Sequence, residues 1–523
     1  MKPVKTLLAS IIIGSLTTIS LPTFATAPDD LAFKVSDKPL TLDIHFHTKK
    51  YVYDNEWPVE KEAARLTNVH LNNVASMATT KSEESFNLLI ASGDLPDVVG
   101  GSAIRDNVNR YGPEGAFIPM NDLIDKYAPH IKAFFDKNPE IRSSILAADG
   151  NIYYIPYLPD GKFGRGYFIR KDWLNKLNLE VPNTIDELHD VLVAFRDNDP
   201  NGNGEKDEVP LFMRNWEELI RMVTLWGGRM SGSDMFHDFY VDKGTMAHGY
   251  VGAGYKEGIK NLAKWYKEGL IDAEVFTRGS RSREYLLSNN LGGMTHDWFA
   301  STAGYNDSLA KTVPGFQFRA MLPPISTNGK RVEEHRRAKV KVEGWSMSFN
   351  NKNPIETMKY FDFYFTEEGR RLANFGIEGV NYDMIDGKPI FKKEMLEKDT
   401  PLNAQLWEIG SQIPRGFYQD HAYELQWSNK FALEGVNMYD KEETANGLLV
   451  EPFLGVALNE KEKATFDKNW ATIRDYMLEM QQAWILGSRD IDADWDSYMA
   501  QVERMGYSDV LKVMQSAYDR AYK

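Results

Sequence analysis

No cysteine occurs among the 523 residues. Its absence excludes a disulfide framework, a thiolate nucleophile, and the lipid-modified cysteine that tethers secreted proteins in single-membrane bacteria. Signatures of several enzyme classes are missing as well. The pairs Gly161-Lys162, Gly329-Lys330 and Gly387-Lys388 are not followed by the Ser or Thr of a phosphate-cradling loop, and no H-E-x-x-H or G-x-S-x-G occurs. Positive charge is in deficit, with 61 Lys and Arg against 75 Asp and Glu and a net charge of −14. So acidic a chain is repelled by nucleic acid and anionic membrane, and an anionic ligand would have to be met by a local basic site. Paired carboxylates for glycoside hydrolysis are not excluded, because only geometry selects a pair from so many acids.

One apolar stretch is long enough to matter. Lys2 and Lys5 precede Leu7 to Leu21, which ends at the small-residue segment Thr23-Phe24-Ala25. Ser10, Gly14, Ser15, Thr17 and Thr18 interrupt it, so it falls short of the roughly 20 apolar residues of a span and reads as a secretory signal peptide over 1–25. With no anchoring cysteine, release into the periplasm without a membrane anchor is expected.

The length implies two lobes, and the pattern implies an α/β layer architecture. Leu40, Leu42, Ile44 and Phe46 alternate with polar residues as in a strand with one buried face. Pro58 then starts a helix whose apolar positions are Val59, Ala63, Leu66 and Val69. A second strand is expected at Asp97 to Gly100, after a helix carrying Phe86, Leu88, Leu89 and Ala91. Helices dominate the last third, where Phe466, Trp470, Ile473, Met477, Met480 and Trp484 form one core-facing stripe that Gly487 ends.

The sharpest local signal lies at 199–208. Asp199, Asn201 and Asn203 stand at positions 1, 3 and 5 of an EF-hand-like loop, with Gly204 at position 6. Position 12 is Pro210, so the usual bidentate Glu is missing and Asp207 and Glu208 must close the shell. The expected ligands are the side chains of Asp199, Asn201, Asn203, Asp207 and Glu208 and the carbonyl of Glu205. Hard oxygen donors in a flexible loop suit Ca²⁺, here structural, pinning a helix to a strand.

The segments Leu95-Pro96-Asp97-Val98-Val99, Asp149-Gly150-Asn151-Ile152-Tyr153-Tyr154-Ile155-Pro156-Tyr157, Ile169-Arg170-Lys171-Asp172-Trp173-Leu174 and Trp265-Tyr266-Lys267-Glu268-Gly269-Leu270-Ile271-Asp272 resemble extracellular solute-binding proteins of carbohydrate ABC importers. Gly293-Met294-Thr295-His296-Asp297-Trp298-Phe299-Ala300-Ser301-Thr302 and Gly115-Ala116-Phe117-Ile118-Pro119 are similar to periplasmic alginate-binding proteins of Sphingomonas-type importers. The resemblance implies a two-lobed periplasmic binding protein fold with a ligand cleft between the lobes, a helix-rich C-terminal part and no chemistry. The expected lobes are 26–158 with 315–385, and 159–314 with 386–523. The implied partners are an acidic oligosaccharide, an alginate fragment above all, and the permease subunits of an ABC importer, with the binding protein itself a monomer.

By the same resemblance, the sugar-stacking aromatics match Tyr157, Trp298 and Trp427. A pyranose has apolar C–H faces and a polar rim, and burying about 100 Å² of apolar area on a flat ring contributes on the order of 2.5 kcal/mol. For the carboxylates, Arg165 and Arg415 are candidates, since a guanidinium grips carboxylate in two parallel hydrogen bonds and neighbouring glycines allow close approach. His296 and Asp297 flank Trp298 and are candidates for the sugar rim, with a fixed structural hydrogen bond as the equal alternative. Two other readings stay open: a binder of unsaturated glycosaminoglycan disaccharides, and a secreted polysaccharide lyase using Tyr, His and Arg.

Overall fold

The computed structural model describes residues 33–48, 52–76, 81–102, 104–230, 238–398 and 400–523. The signal segment expected over 1–25 lies outside the described residues.

The strand Leu40–His47 pairs in parallel with Val69–Asn73 on one side and Val98–Gly101 on the other. Gly344–Met347 and Ile155–Pro156 extend this sheet with antiparallel pairing. Leu42, Ile44 and Phe46 are fully buried, as the alternation predicts. The opposite face is not solvated, because the helix Ser82–Ser92 covers it. His45 and His47 are buried there and bond to Ser85 (2.8 Å) and Ser82 (2.9 Å). Strands of parallel sheets are commonly covered on both faces in this way.

The helix Pro58–Thr67 begins at Pro58 as expected but ends before Val69, which opens the next strand. Asn68 makes the turn in the left-handed conformation, with φ 61°. Helical spacing thus carried one apolar residue too far, because Val69 is buried equally well from a strand.

A second sheet has the order Phe318–Met321, Arg165–Arg170, Gly292–Trp298, Val209–Leu211. Phe318–Met321 pairs antiparallel with Arg165–Arg170, so the second lobe extends past the boundary expected at 315, and the chain returns to the first sheet between Met321 and Gly344. The boundary at 386 also moves. Ile413 and Phe417 are buried in the core of the first lobe, whereas the helix Lys430–Asn446 packs Ala432 and Tyr439 against the second.

The long helices Glu460–Ile485, Ile491–Arg504 and Tyr507–Tyr522 complete the second lobe. Asn459 and Glu462 close the first of them in a reciprocal capping box, and Gly487 follows it at φ 71°. Trp470, Ile473, Met477, Met480 and Trp484 are all buried, so the stripe is core.

Candidate functional site

The chain crosses between the two sheets over 157–164, 322–343 and 418–430. Backbone hydrogen bonds hold these crossings together. Tyr157 N–H donates to Glu343 O (2.8 Å), Lys341 N–H to Tyr157 O (3.0 Å), and Gln419 N–H to Leu158 O (2.9 Å). Arg337 touches all three segments: its N–H donates to Lys162 O (2.9 Å), and its guanidinium to Gln419 (3.0 Å) and Glu424 (2.5 Å).

Four predicted residues gather where the strands Arg165–Arg170 and Gly292–Trp298 meet these crossings. Arg165 is directly opposite Trp298 in the antiparallel ladder, and Tyr167 is opposite His296. The Arg165 guanidinium carbon lies 4.6 Å from the centroid of the half-buried Trp298 ring. A Cβ on Gly164 would sit 2.9 Å from Trp298 Cζ3, so only glycine leaves that ring its place. Arg165 itself is buried and ion-paired with buried Glu218, so its charge is already compensated. His296 Nε2 donates to Glu333 Oε2 at 3.0 Å.

Asp297 points away from this face and is 0 % exposed. Arg283 (2.7 Å) and Arg214 (3.6 Å) hold its carboxylate, which also accepts from the N–H of Trp298 (2.7 Å). The expectation that Asp297 meets the sugar rim is therefore corrected to the structural alternative: it is consumed in fixing the end of the strand that carries Trp298.

Tyr157 lies on the first crossing and Trp427 on the third, where Trp427 packs against the cluster of Phe375, Tyr382 and Phe391. The half-buried Tyr157 ring packs on Phe417 with centroids 5.2 Å apart. Trp427 ends the short helix Ala422–Trp427, the helix that Arg337 grips through Glu424.

Arg415 does not join them. It is 1 % exposed, ion-paired with Glu60, bonded to Gly410 O (2.9 Å), and stacked over Tyr364 at 5.0 Å. Glu60 also accepts from Tyr53. A carboxylate-binding role for Arg415 is thus corrected to that of a core ion pair, because no ligand reaches a side chain enclosed by two tyrosines and a carboxylate.

Sequence reasoning missed Glu333, Glu334, His335, Arg336 and Arg337. Five consecutive polar or charged residues normally mark a solvated face, yet Glu333, Glu334 and His335 are buried. Arg229 Nε donates to Glu334 (2.6 Å), Arg336 pairs with Glu451 (2.7 Å), and Arg221 donates to His335 Nδ1. Burial pushes the Glu334 carboxyl up to about 7, outweighing Arg229, and pushes His335 well below the usual imidazole range, with Arg221 adding to the shift.

The loop at 199–208 joins the helix Ile185–Asp197 to the strand Val209–Leu211, as predicted. Asp199 accepts from the N–H groups of Gly202 (2.8 Å), Asn203 (3.1 Å) and Gly204 (3.1 Å), while Asn201 (3.0 Å) and Asn203 (3.0 Å) donate their amides to Asp207. Glu205 N–H donates to Asn203 Oδ1 at 2.7 Å. Glu208 Oε2 is shielded and has no hydrogen-bond partner among the described residues. Burial raises the Glu208 carboxyl, with Asp199 and Asp207 adding repulsion. Among the described residues no group of three or more carboxylate, imidazole or thiol side chains is arranged to hold a metal. The donor set is nonetheless of the hard-oxygen type, and an orphaned buried carboxylate oxygen is what a bound cation would satisfy.

A groove of about 700 Å³ on the outer side of the first lobe is lined by Tyr53, Lys61, Arg65 and His70, and none of the predicted ligand-binding residues reaches it. Among the described residues no helix is long and apolar enough to cross a membrane.

Comparison with known proteins agrees with this architecture. Residues 60–388 match the family model described as bacterial extracellular solute-binding protein. The chain is 28 % identical over 458 residues to the fructooligosaccharide ABC transporter substrate-binding protein FusA of Streptococcus pneumoniae, covering 84 % of this chain and 82 % of that one. It is 25 % identical over 359 residues to the polygalacturonan/rhamnogalacturonan-binding protein YtcQ of Bacillus subtilis, covering 66 % and 67 %. Among solved structures, the alginate-binding protein AlgQ2, crystallised without calcium ion, is 52 % identical with a TM-score of 0.77, over 93 % of this chain and 99 % of that one. The chain belongs to the bacterial extracellular solute-binding proteins.

Proposed function

We propose that this protein captures acidic oligosaccharides, alginate fragments foremost, in the periplasm and delivers them to an importer's permease subunits. The observation that carries the reading is the contact of Trp298 with His335 on the 322–343 crossing, which backbone hydrogen bonds tie to Tyr157 and Arg337 ties to the helix ending at Trp427. The 52 % identity to an alginate-binding protein supports the choice of ligand, and the similarity to a polygalacturonan-binding protein supports the acidic class.

In this account Tyr157, Trp298 and Trp427 are stacking platforms. Arg165 covers one face of Trp298 and leaves the other to a sugar ring. Three platforms at about 2.5 kcal/mol each approach the roughly 8 kcal/mol of a micromolar complex, before the costs of association. Lys341, bonded through its backbone to Tyr157, supplies a cation beside that platform. His296 acts from beneath Trp298. The 199–208 loop holds Ca²⁺ through Asp199, Asn201, Asn203, Asp207, Glu208 and the Glu205 carbonyl. The ion's contribution there is cohesion between helix and strand. A relative whose EF-hand mutant has been crystallised in complex with fructo-nystose supports looking for calcium in this family.

The experiment is a calorimetric titration with alginate tri- and tetrasaccharides, polygalacturonate fragments, unsaturated chondroitin and hyaluronan disaccharides, and neutral maltotriose, with absorbance followed near 235 nm. Saturable binding of the alginate set without new absorbance is the expected result. Binding of the glycosaminoglycan disaccharides alone would replace the ligand, and growing absorbance would overturn the function.

A further inference from the structure

Between the second sheet, at Tyr167 and His296, and the crossing at 332–335 the structure holds a narrow cavity of about 20 Å³. Its walls include Tyr167, Glu218, Arg221, His296, Glu333 and His335. The space suffices for one water molecule.

The charges around it are already matched. Glu218 pairs with Arg165 and Glu334 with Arg229, while Glu333 accepts a hydrogen bond from His296 and Arg221 donates to His335. The carboxylates of Glu218 and Glu333 line the cavity and would repel another.

Two wall atoms are shielded from solvent and lack a hydrogen-bond partner among the described residues: Glu218 Oε2 and His296 Nδ1. The residues that carry them are 5 % and 4 % exposed. A carboxylate oxygen only accepts. On His296 the proton sits on Nε2, which faces the acceptor Glu333 Oε2, so Nδ1 presents a lone pair. The cavity therefore has two acceptors and asks for two donated hydrogens, the number a water molecule supplies. Leaving buried acceptors unmet is costly enough that polar cavities of this kind are filled.

We propose that this cavity is a water-holding specificity subsite. One water donates to Glu218 Oε2 and His296 Nδ1 and keeps its lone pairs for a hydroxyl of the sugar stacked on Trp298. The site thereby reads a hydrogen-bond donor at this end of the ligand and rejects a carboxylate. Glu218, carried on the short helix Trp216–Ile220 and paired with Arg165, becomes a specificity residue acting through that water. The ligand part of the inference rests on Trp298 being a platform, and the water itself does not.

Two measurements test it. A crystal structure of the ligand-free protein, at a resolution that reveals ordered water, is expected to show one water within hydrogen-bonding distance of both atoms. A collapsed cavity, or a protein group bonded to either atom, overturns the proposal whatever the ligand proves to be. In solution, Glu218→Gln replaces an acceptor by a donor, and His296→Gln keeps the donor toward Glu333 while deleting Nδ1. Each is expected to weaken alginate tetrasaccharide binding about tenfold. Binding by both variants within twofold of the unmodified protein, or a ligand carboxylate in the cavity, contradicts the subsite. If the unmodified protein binds no uronate oligosaccharide while the water is present, the proposed ligand falls and the water site stands.

Discussion

Arg165 faces Trp298 across an antiparallel ladder, with its guanidinium carbon 4.6 Å from the ring centroid and its charge neutralised by Glu218 behind it. A stacked, ion-paired arginine stiffens an indole that would otherwise pivot at the end of its strand. Arg165 is thus a residue that shapes the platform, and its contribution to binding passes through Trp298.

Arg165→Ala leaves Glu218 buried without its counter-charge, a change that costs about 3–5 kcal/mol. The double variant Arg165→Ala/Glu218→Leu removes both charges and is expected to recover part of that loss in chemical denaturation. Both variants should bind ligand at least severalfold more weakly, since neither restores the stacked guanidinium. Equal stability of the single and double variants would show that the pair is not coupled.

For Arg415 the expected pattern is reversed. Arg415→Met strands Glu60 in the first-lobe core and should lower stability by about 3–5 kcal/mol. Ligand affinity under folding conditions should stay within about twofold. A large loss of affinity at unchanged stability would return Arg415 to the binding site.

The local signals were legible in the sequence, and the long-range pairings were not. The 199–208 loop stands in a compact motif whose residue types carry their own reason, whereas Trp298 and Tyr157 were singled out through the family resemblance alone. The glycines beside the two arginines were correctly read as sites of close approach, but the approaching group is protein. Gly164 makes room for Trp298, and a Cβ on Gly416 would lie 2.5 Å from Ile155 O and Trp345 Cδ1. Glu333, Glu334 and His335 are buried because the side-chain partners of this run come from 37 or more residues away in sequence, as with His296 for Glu333, Arg221 for His335 and Glu424 for Arg337, and no local period reports such pairs. Helical spacing failed at Val69 for a related reason: burial there is decided by the neighbouring strand Leu40–His47.

Glu334 gives a pH signature. Its carboxyl titrates near 7 in the folded protein against about 4.5 unfolded, so the native state holds the proton more tightly. Its stabilising contribution is present below the unfolded value and is lost as pH rises from about 4.5 to about 7, by roughly 3 kcal/mol. His335 works in the opposite sense. Its imidazole is held neutral, so stability is lost as pH falls below the usual imidazole value. Glu334→Gln should flatten the decline between pH 4.5 and 7 in unfolding curves measured beside the unmodified protein. A difference between the two proteins that does not change with pH would refute the assignment.

Calcium removal separates stability from binding. The loop abuts the Gly292 end of the strand Gly292–Trp298 through Val209, and Trp298 closes the other end, roughly 20 Å away at the rise of a β-strand. Chelation is therefore expected to lower the unfolding temperature by several degrees and to change oligosaccharide affinity less than about threefold. Glu208→Gln should weaken the calcium dependence of that temperature. Loss of sugar binding in parallel with calcium would place the ion in the ligand site instead.

The most direct test of the account is a crystal structure of the protein with an alginate trisaccharide. The account predicts one sugar ring on the face of Trp298 opposite Arg165, with Tyr157 and Trp427 in contact with the same ligand. A trisaccharide bound instead in the outer groove of the first lobe, against Tyr53, Lys61 and His70, would contradict it.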